Sequence, residues 1–218
     1  MNDVAEKTAA HNIPDYGFGD SAIRHHMAYI LDPIERLAGG FREGMRVLDV
    51  GSGNGFLASW LKSKGCSVTG IDPSASGVKV ASEAHPDIRF VEMPVSVDVL
   101  SDLGEEPFDL VVSTEVVEHL YSPRDWATGC LHALKPGAPL ICTTPYHGYL
   151  KNLVIAASNK FDHHVNPLWD GGHIKFWSVK TLRKLLEECG FSGVRWTGAG
   201  RHPYMWKSLV MRADRPGA

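Results

Sequence analysis

The chain predicts an α/β fold, a mostly parallel sheet with helices on both faces. Three observations carry this. Between Arg46 and Thr143, short apolar runs that suit strands alternate with stretches that suit helices. Such alternation needs crossovers, and crossovers join parallel strands. The first strand runs directly into a glycine-rich turn. The C-terminal part instead carries two strands with a short connection, which suits an antiparallel hairpin.

From Ser21, apolar residues fall at Ile23, Met27, Ile30, Leu31, Ile34 and Leu37, in steps that mark helix. Asp32-Pro33 predicts a break into two short helices, since Asp caps and Pro suits the first helical position. Gly39-Gly40 stops the second. Strands are expected at 46–50, 67–71, 88–93, 108–113 and 139–143. Helices are expected at 55–64, 77–85 and 123–134, with a short helical turn at 98–104. Val179, Leu182, Leu185, Leu186 and Cys189 give one more helix stripe, stopped by Gly190. The final strands are expected at 193–197 and 204–211. Between Thr144 and Ser178 lies an insertion after a strand's carboxyl end, the edge where open α/β sheets bind ligands.

Composition bounds the alternatives. The chain has 218 residues, 44% hydrophobic and 22% charged, with a formal net charge of -3. One globular domain is expected, and a nucleic acid partner is not. No apolar stretch approaches the ~20 residues of a spanning helix, so integral membrane association is not expected. The N-terminus lacks the order of a secretory signal. Cys66, Cys130, Cys142 and Cys189 are widely spaced, which fits buried thiols in a reducing cytoplasm better than disulfides or a zinc knuckle.

The first strand and its turn read Val47-Leu48-Asp49-Val50-Gly51-Ser52-Gly53-Asn54-Gly55. Glycines let the backbone turn sharply and a ligand approach closely. Asp72 closes the second strand about 20 residues on, where a carboxylate can accept from both hydroxyls of a ribose. A tight turn before a packed helix is the bland alternative. The spacing is G-x-G-x-G rather than the dinucleotide G-x-G-x-x-G, and Asp49 stands beside it. A carboxylate there repels a pyrophosphate and suits an ammonium or sulfonium ligand. An NAD-dependent oxidoreductase is therefore disfavoured.

LDVGSGNG followed by GIDPS resembles motif I and the ribose acid of class I S-adenosylmethionine-dependent methyltransferases. The similarity runs from about Met45 to the C-terminus. It implies a Rossmann-like, seven-stranded, mostly parallel sheet with the last strand antiparallel, and a single methyltransferase domain over 1–218. Within it, 1–44 would be an N-terminal helical cap and 45–143 a donor-binding core. Residues 144–178 would be a substrate or lid insertion, and 179–218 the C-terminal helix and hairpin. It implies that Gly51, Ser52, Gly53 and Gly55 wrap the methionine moiety and that Asp49 supports the amino-acid end. Asp72 and Pro73 would meet the ribose, Met93 the adenine, and Glu115 the donor's reacting edge.

The chemistry end follows the fourth strand. Glu115, Glu118 and His119 are spaced i, i+3, i+4 and share a face if the segment is helical. His173 follows Gly171-Gly172 in the insertion. E-V-V-E-H, T-T-P and the later H-x-K-F resemble ubiquinone-biosynthesis O-methyltransferases and their small-molecule relatives. They also resemble small-RNA 3′-terminal 2′-O-methyltransferases, whose two glutamates and two histidines bind a divalent cation. That resemblance implies Glu115, Glu118, His119 and His173 as metal ligands. Mixed oxygen and imidazole ligation points to Mg or Mn first, with Zn or Fe as the other candidates. Without a metal, His119 or His173, beside Glu118, is a general base or shapes the pocket.

The expected activity is methyl transfer to a small-molecule acceptor, at oxygen. The other readings are an RNA 2′-O-methyltransferase, which would want a basic aromatic channel, and a non-catalytic S-adenosylmethionine-binding protein. Lys151, Lys160 and Lys175 are too scattered for an RNA groove. His163-His164 suit a substrate-facing loop, and His25-His26 the N-terminal cap. The apolar run 149–157 suits a helical lid over the acceptor.

Overall fold

A computed structural model describes residues 27–217. The seven strands are β1 (Arg46–Val50), β2 (Ser67–Asp72), β3 (Arg89–Glu92), β4 (Leu110–Thr114), β5 (Pro139–Pro145), β6 (Ser192–Ala199) and β7 (Ser208–Asp214). They form one sheet in the order β3-β2-β1-β4-β5-β7-β6. Strands β1 to β5 pair in parallel. Strand β7 pairs antiparallel with both β5 and β6, and so lies between them. Order reverses between β1 and β4, which makes their carboxyl ends the switch point where such sheets bind ligands.

The helices are α1 (Leu31–Ala38), α2 (Phe56–Ser63), α3 (Ala75–Ala84), α4 (Val99–Leu103), α5 (Pro123–Ala133), α6 (Tyr149–Ala157) and α7 (Val179–Glu188). Side chains alternate across each strand, and both sheet faces are apolar. Leu48, Val50 and Val111 meet Trp126 and Cys130 of α5, Leu182 and Leu186 of α7, and Val99 of α4. Val47, Leu110 and Val112 meet Ile34 of α1 and Leu57 and Leu61 of α2 on the other face. Trp126 is fully buried and donates its indole N–H to Ser113 Oγ at 3.2 Å, so its polar atom is satisfied inside the core.

Several boundaries differ from the sequence reading. The second helix, expected to be capped by Asp32 and to start at Pro33, starts at Leu31, preceded by a 3-10 turn over Ala28–Ile30. Pro33 is accommodated in the first helical turn, where no intrahelical N–H bond is required of it. The segment from Ser21 to His26, with His25 and His26, lies outside the described residues. Phe108 makes only an isolated bridge to Leu134, and β4 begins at Leu110. The hairpin is antiparallel as expected, with its second strand starting at Ser208 rather than Tyr204. Among the described residues no helix is long and apolar enough to cross a membrane.

Candidate active site

Four buried side chains carry oxygens with no hydrogen-bond partner among the described residues: Asp49, Ser52, Glu118 and Thr144. All four lie at or just beyond the carboxyl halves of β1, β4 and β5. An unpaired buried polar group is costly, so their concentration at one edge marks a place built for a polar ligand.

The turn after β1 depends on its glycines. Gly51, Gly53 and Gly55 have φ of 79°, 50° and 82°, conformations that a side chain disfavours. Gly51 also packs on Val116, whose Cγ2 occupies the space a Cβ would need. The turn is strapped to β2: Gly51 and Ser52 donate their amides to the Ile71 carbonyl at 2.8 and 3.0 Å. Asp72 accepts from the Gly53 amide at 2.8 Å and from the Ser74 amide at 2.8 Å. Asp72 therefore joins the glycine turn to the start of α3, with Pro73 between. Met93 is tied back by its amide to the Asp72 carbonyl at 3.0 Å and packs partly buried against the core.

Asp49 points into the same edge and is fully buried. Burial first, and the neighbouring Asp72 second, push its carboxyl up to about 8; the Ala58 amide offsets part of this without reaching hydrogen-bond geometry.

The segment after β4 is a turn rather than the helix its spacing allowed. Glu115 adopts φ 54°, an unusual conformation for a glutamate, and this breaks the helical path. Its amide reaches the Thr143 carbonyl and hydroxyl, each at 3.1 Å. Its Oε1 accepts from the Thr143 hydroxyl at 2.8 Å and the Ser208 hydroxyl at 3.0 Å. Ser208 Oγ is also 2.7 Å from the Tyr29 hydroxyl. The chain then turns through a bond from the His119 amide to the Val116 carbonyl.

The insertion is stitched to this turn. The Glu118 carbonyl accepts from the Ile174 and Lys175 amides, and the Val117 carbonyl from the Trp177 indole. These bonds carry His173 beside Glu118, with Nε2 4.0 Å from Oε1. The His119 and His173 rings lie 4.8 Å apart, and Trp169 flanks both. Ligand atoms of Glu118, His119 and His173 all lie within 4.8 Å of one another. Glu115 is the difference from the four-residue expectation. Its carboxylate is engaged by Thr143 and Ser208, outside this group of three.

Burial sets the charges here. It pushes both Glu118 and Glu115 upward, and the Glu115 carboxylate pushes Glu118 further, so the pair resists carrying two negative charges. Burial, then His119 and His147, pull His173 down to about 4. His119 is pulled down by burial too. Its Nδ1 lies 2.8 Å from the Gly171 carbonyl, which can only accept. Nδ1 therefore carries the proton, and the imidazole lone pair is on Nε2.

The sequence marked Thr143 and Thr144 only as part of the T-T-P motif and did not single out Ser208 or Tyr29; the placement of these four arises from strand pairing and loop docking. His163 and His164 lie in and after a 3-10 turn of the insertion, apart from the group of three.

A profile of the family described as a methyltransferase domain matches residues 23–195. The ubiquinone biosynthesis O-methyltransferase of Roseobacter denitrificans is 32% identical over 177 residues, 79% of this chain and 70% of that protein. The protein of the same name from Maricaulis maris is 36% identical over 105 residues, 47% of this chain and 41% of its own length. The matched region spans about half the length or less of several such relatives. A solved S-adenosylmethionine-dependent methyltransferase from Archaeoglobus fulgidus superposes with a TM-score of 0.61 at 16% identity, covering 84% of this chain and 92% of that one. That last likeness supports the fold alone, while the sequence relationships fix the kinship: the chain belongs to the class I S-adenosylmethionine-dependent methyltransferases.

Proposed function

We propose that this chain transfers a methyl group from S-adenosylmethionine to an oxygen of a small-molecule diol, with a divalent cation, Mg or Mn, held by Glu118, His119 and His173. The observation that carries it is the convergence of these three side chains within 4.8 Å, on the switch-point edge that also holds the glycine turn. The donor set fits the edge. The glycine turn with Ser52 would wrap the methionine moiety, and the orphaned Asp49 carboxylate suits its ammonium. Asp72 and Pro73 would meet the ribose, and Met93 the adenine.

The three residues fit a hard cation. Glu118 is a buried carboxylate with no hydrogen bond to either oxygen. Both imidazoles are held neutral by burial at physiological pH, which is the form that ligates. The Gly171 carbonyl fixes the His119 tautomer, as a backing acceptor does for a ligating histidine. When bound, such a cation would orient two acceptor oxygens and favour ionisation of one of them. The chain's own part is alignment: Trp169 and the stitched insertion wall the site, and the glycine turn sets the methyl donor against it. Glu115 holds the reacting turn to β5 and β7 through Thr143 and Ser208.

The test is methyl transfer to a diol panel with and without EDTA, followed by metal add-back. Turnover should collapse with chelation and return with Mg or Mn. Turnover indifferent to both leaves a second reading, favoured by the His119 tautomer: Nε2 as general base without a metal.

A further inference from the structure

Glu115 keeps its φ of 54° under several restraints, and one of them leads out of the site. A residue other than glycine stays in that region only where its surroundings over-determine it. Thr143 restrains Glu115 from β5: its carbonyl and hydroxyl accept the Glu115 amide, and its hydroxyl donates to Oε1. Ser208 restrains it from β7, donating its hydroxyl to the same Oε1 at 3.0 Å. Thr143 is paired on both sides, with Thr114 of β4 and Val210 of β7, so its hold is fixed by the sheet. Ser208 has a further neighbour. Its Oγ lies 2.7 Å from the hydroxyl of Tyr29, which precedes α1 in the 3-10 turn.

This line of hydroxyls has a direction. A serine hydroxyl carries one proton, and that of Ser208 points to Glu115 Oε1. Tyr29 must then donate to Ser208. A hydroxyl that accepts one bond donates the next more strongly, so Tyr29 reinforces the hold on Glu115. Ser208 is 1% exposed, which leaves little room for water to replace the tyrosine. The Tyr29 ring is seated for the task. Its neighbour Ile30 packs with Ile34, Ala199 and Val210 in one buried cluster. The Gly200 backbone comes so near that a Cβ there would stand 3.0 Å from the ring. The Lys207 ammonium lies 5.1 Å from the ring centroid, within cation–π range. Lys207 is itself fixed beside Ser208. Its amide bonds the Ala199 carbonyl, and its carbonyl accepts the Tyr146 amide and, at 3.5 Å, the ammonium that Lys151 of α6 carries inward. A phenylalanine would fill the same seat. What the hydroxyl contributes is the bond to Ser208.

On the methyl-transfer reading above, we propose that Tyr29 is a positioning residue: through Ser208 and Glu115 it sets the turn that carries Glu118 and His119, and so ties that turn to the docking of α1. Glu118 and His119 follow Glu115 within one turn of backbone, so slack at Glu115 passes to both side chains that would hold the cation. Tyr29 acts at a distance from them, by steadying the one restraint on Glu115 that reaches outside the parallel strands.

The experiment is calorimetry of Mn binding to the full chain saturated with S-adenosylhomocysteine, with hydrogen exchange read by mass spectrometry on the same samples. Tyr29→Phe should weaken Mn binding about three- to tenfold, less than the loss of a group that bonds a ligating side chain directly. It should speed exchange in residues 115–119 and leave exchange in 47–55 and the affinity for S-adenosylhomocysteine unchanged. Ser208→Ala should do the same. The double variant should be no worse than Ser208→Ala, because Tyr29 acts through that hydroxyl. Mn affinity or turn exchange unchanged in Tyr29→Phe overturns the positioning role. Additive losses in the double variant also overturn it, as does faster exchange in 47–55, since either assigns Tyr29 a general effect on the fold. If the unaltered chain binds S-adenosylhomocysteine but no Mn, the metal-assisted reading fails and the role falls with it. If it binds no S-adenosylhomocysteine, methyl transfer itself fails.

Discussion

Donor binding should be linked to a proton, and Asp49 should carry it. In the ligand-free protein, burial and Asp72 hold this carboxyl at about 8, so it is protonated below that pH. The donor's ammonium requires it ionised. Affinity for S-adenosylhomocysteine, which keeps the ammonium, should therefore climb between pH 5.5 and 7.5, below the range where an amino group itself titrates. The slope should approach tenfold per unit, so the two units amount to about 100-fold, or about 2.7 kcal/mol. The ligand-free protein should show the opposite sign. A folded pKa raised above 3.8 gives stability that is full below pH 3.8 and lost as pH rises to about 8. Four units would cost on the order of 5 kcal/mol, and the ligand should remove much of that loss. Calorimetry in buffers of differing ionisation enthalpy counts the proton released. Asp49→Asn should bind weakly with a flat profile, and its stability should lose this pH dependence. A flat profile in the unaltered chain, or an undiminished slope in Asp49→Asn, refutes the reasoning.

Asp72→Asn should weaken S-adenosylhomocysteine binding by about 1–3 kcal/mol, the scale of hydrogen bonds to a charged group, and lower Tm by loosening the Gly53 and Ser74 straps; thermal shift and calorimetry check both. Gly51→Ala should destabilise by about 1–3 kcal/mol through overpacking on Val116 and a disfavoured φ, visible in urea unfolding, with donor binding lost at the same time. His173→Ala should cost about tenfold or more in metal affinity or metal-dependent turnover. It should leave S-adenosylhomocysteine affinity intact, because the histidine comes from the insertion and the donor turn does not.

Local signals made the donor half legible. Asp49, Gly51, Gly53 and Gly55 sit at the end of an apolar run whose boundaries match β1 residue for residue, because strand burial and turn chemistry are both short-range. The acceptor half was legible in residue type but not in geometry. Glu118, His119 and His173 do converge, yet through a turn that Glu115 creates by bonding to Thr143, a contact 28 residues away. No helical spacing encodes that. Tyr204, Met205 and Trp206 read as strand because they are aromatic or apolar. In the structure Tyr204 and Trp206 pack on one another, Tyr204 has a positive φ, and the strand begins only at Ser208. Lys151 was visible as one charge in an apolar run. Its inward direction depends on what α6 packs against, which the run cannot say.

The position of β7 has a consequence for the order of assembly. It follows the other six strands among the described residues, yet it fills an interior slot of the sheet, with β5 on one side and β6 on the other. During synthesis β1 to β5 can associate while the flank of β5 is still an open edge, the kind that invites intermolecular pairing. Residues 208–214 close it by pairing along all seven residues of β5. Ser208, which opens that strand, also delivers a hydroxyl to Glu115. The turn after β4 therefore gains a restraint from the strand that completes the sheet. A nascent chain short of β7 would have the partners that strap the glycine turn, in β2, but not the Ser208 hydroxyl that restrains Glu115.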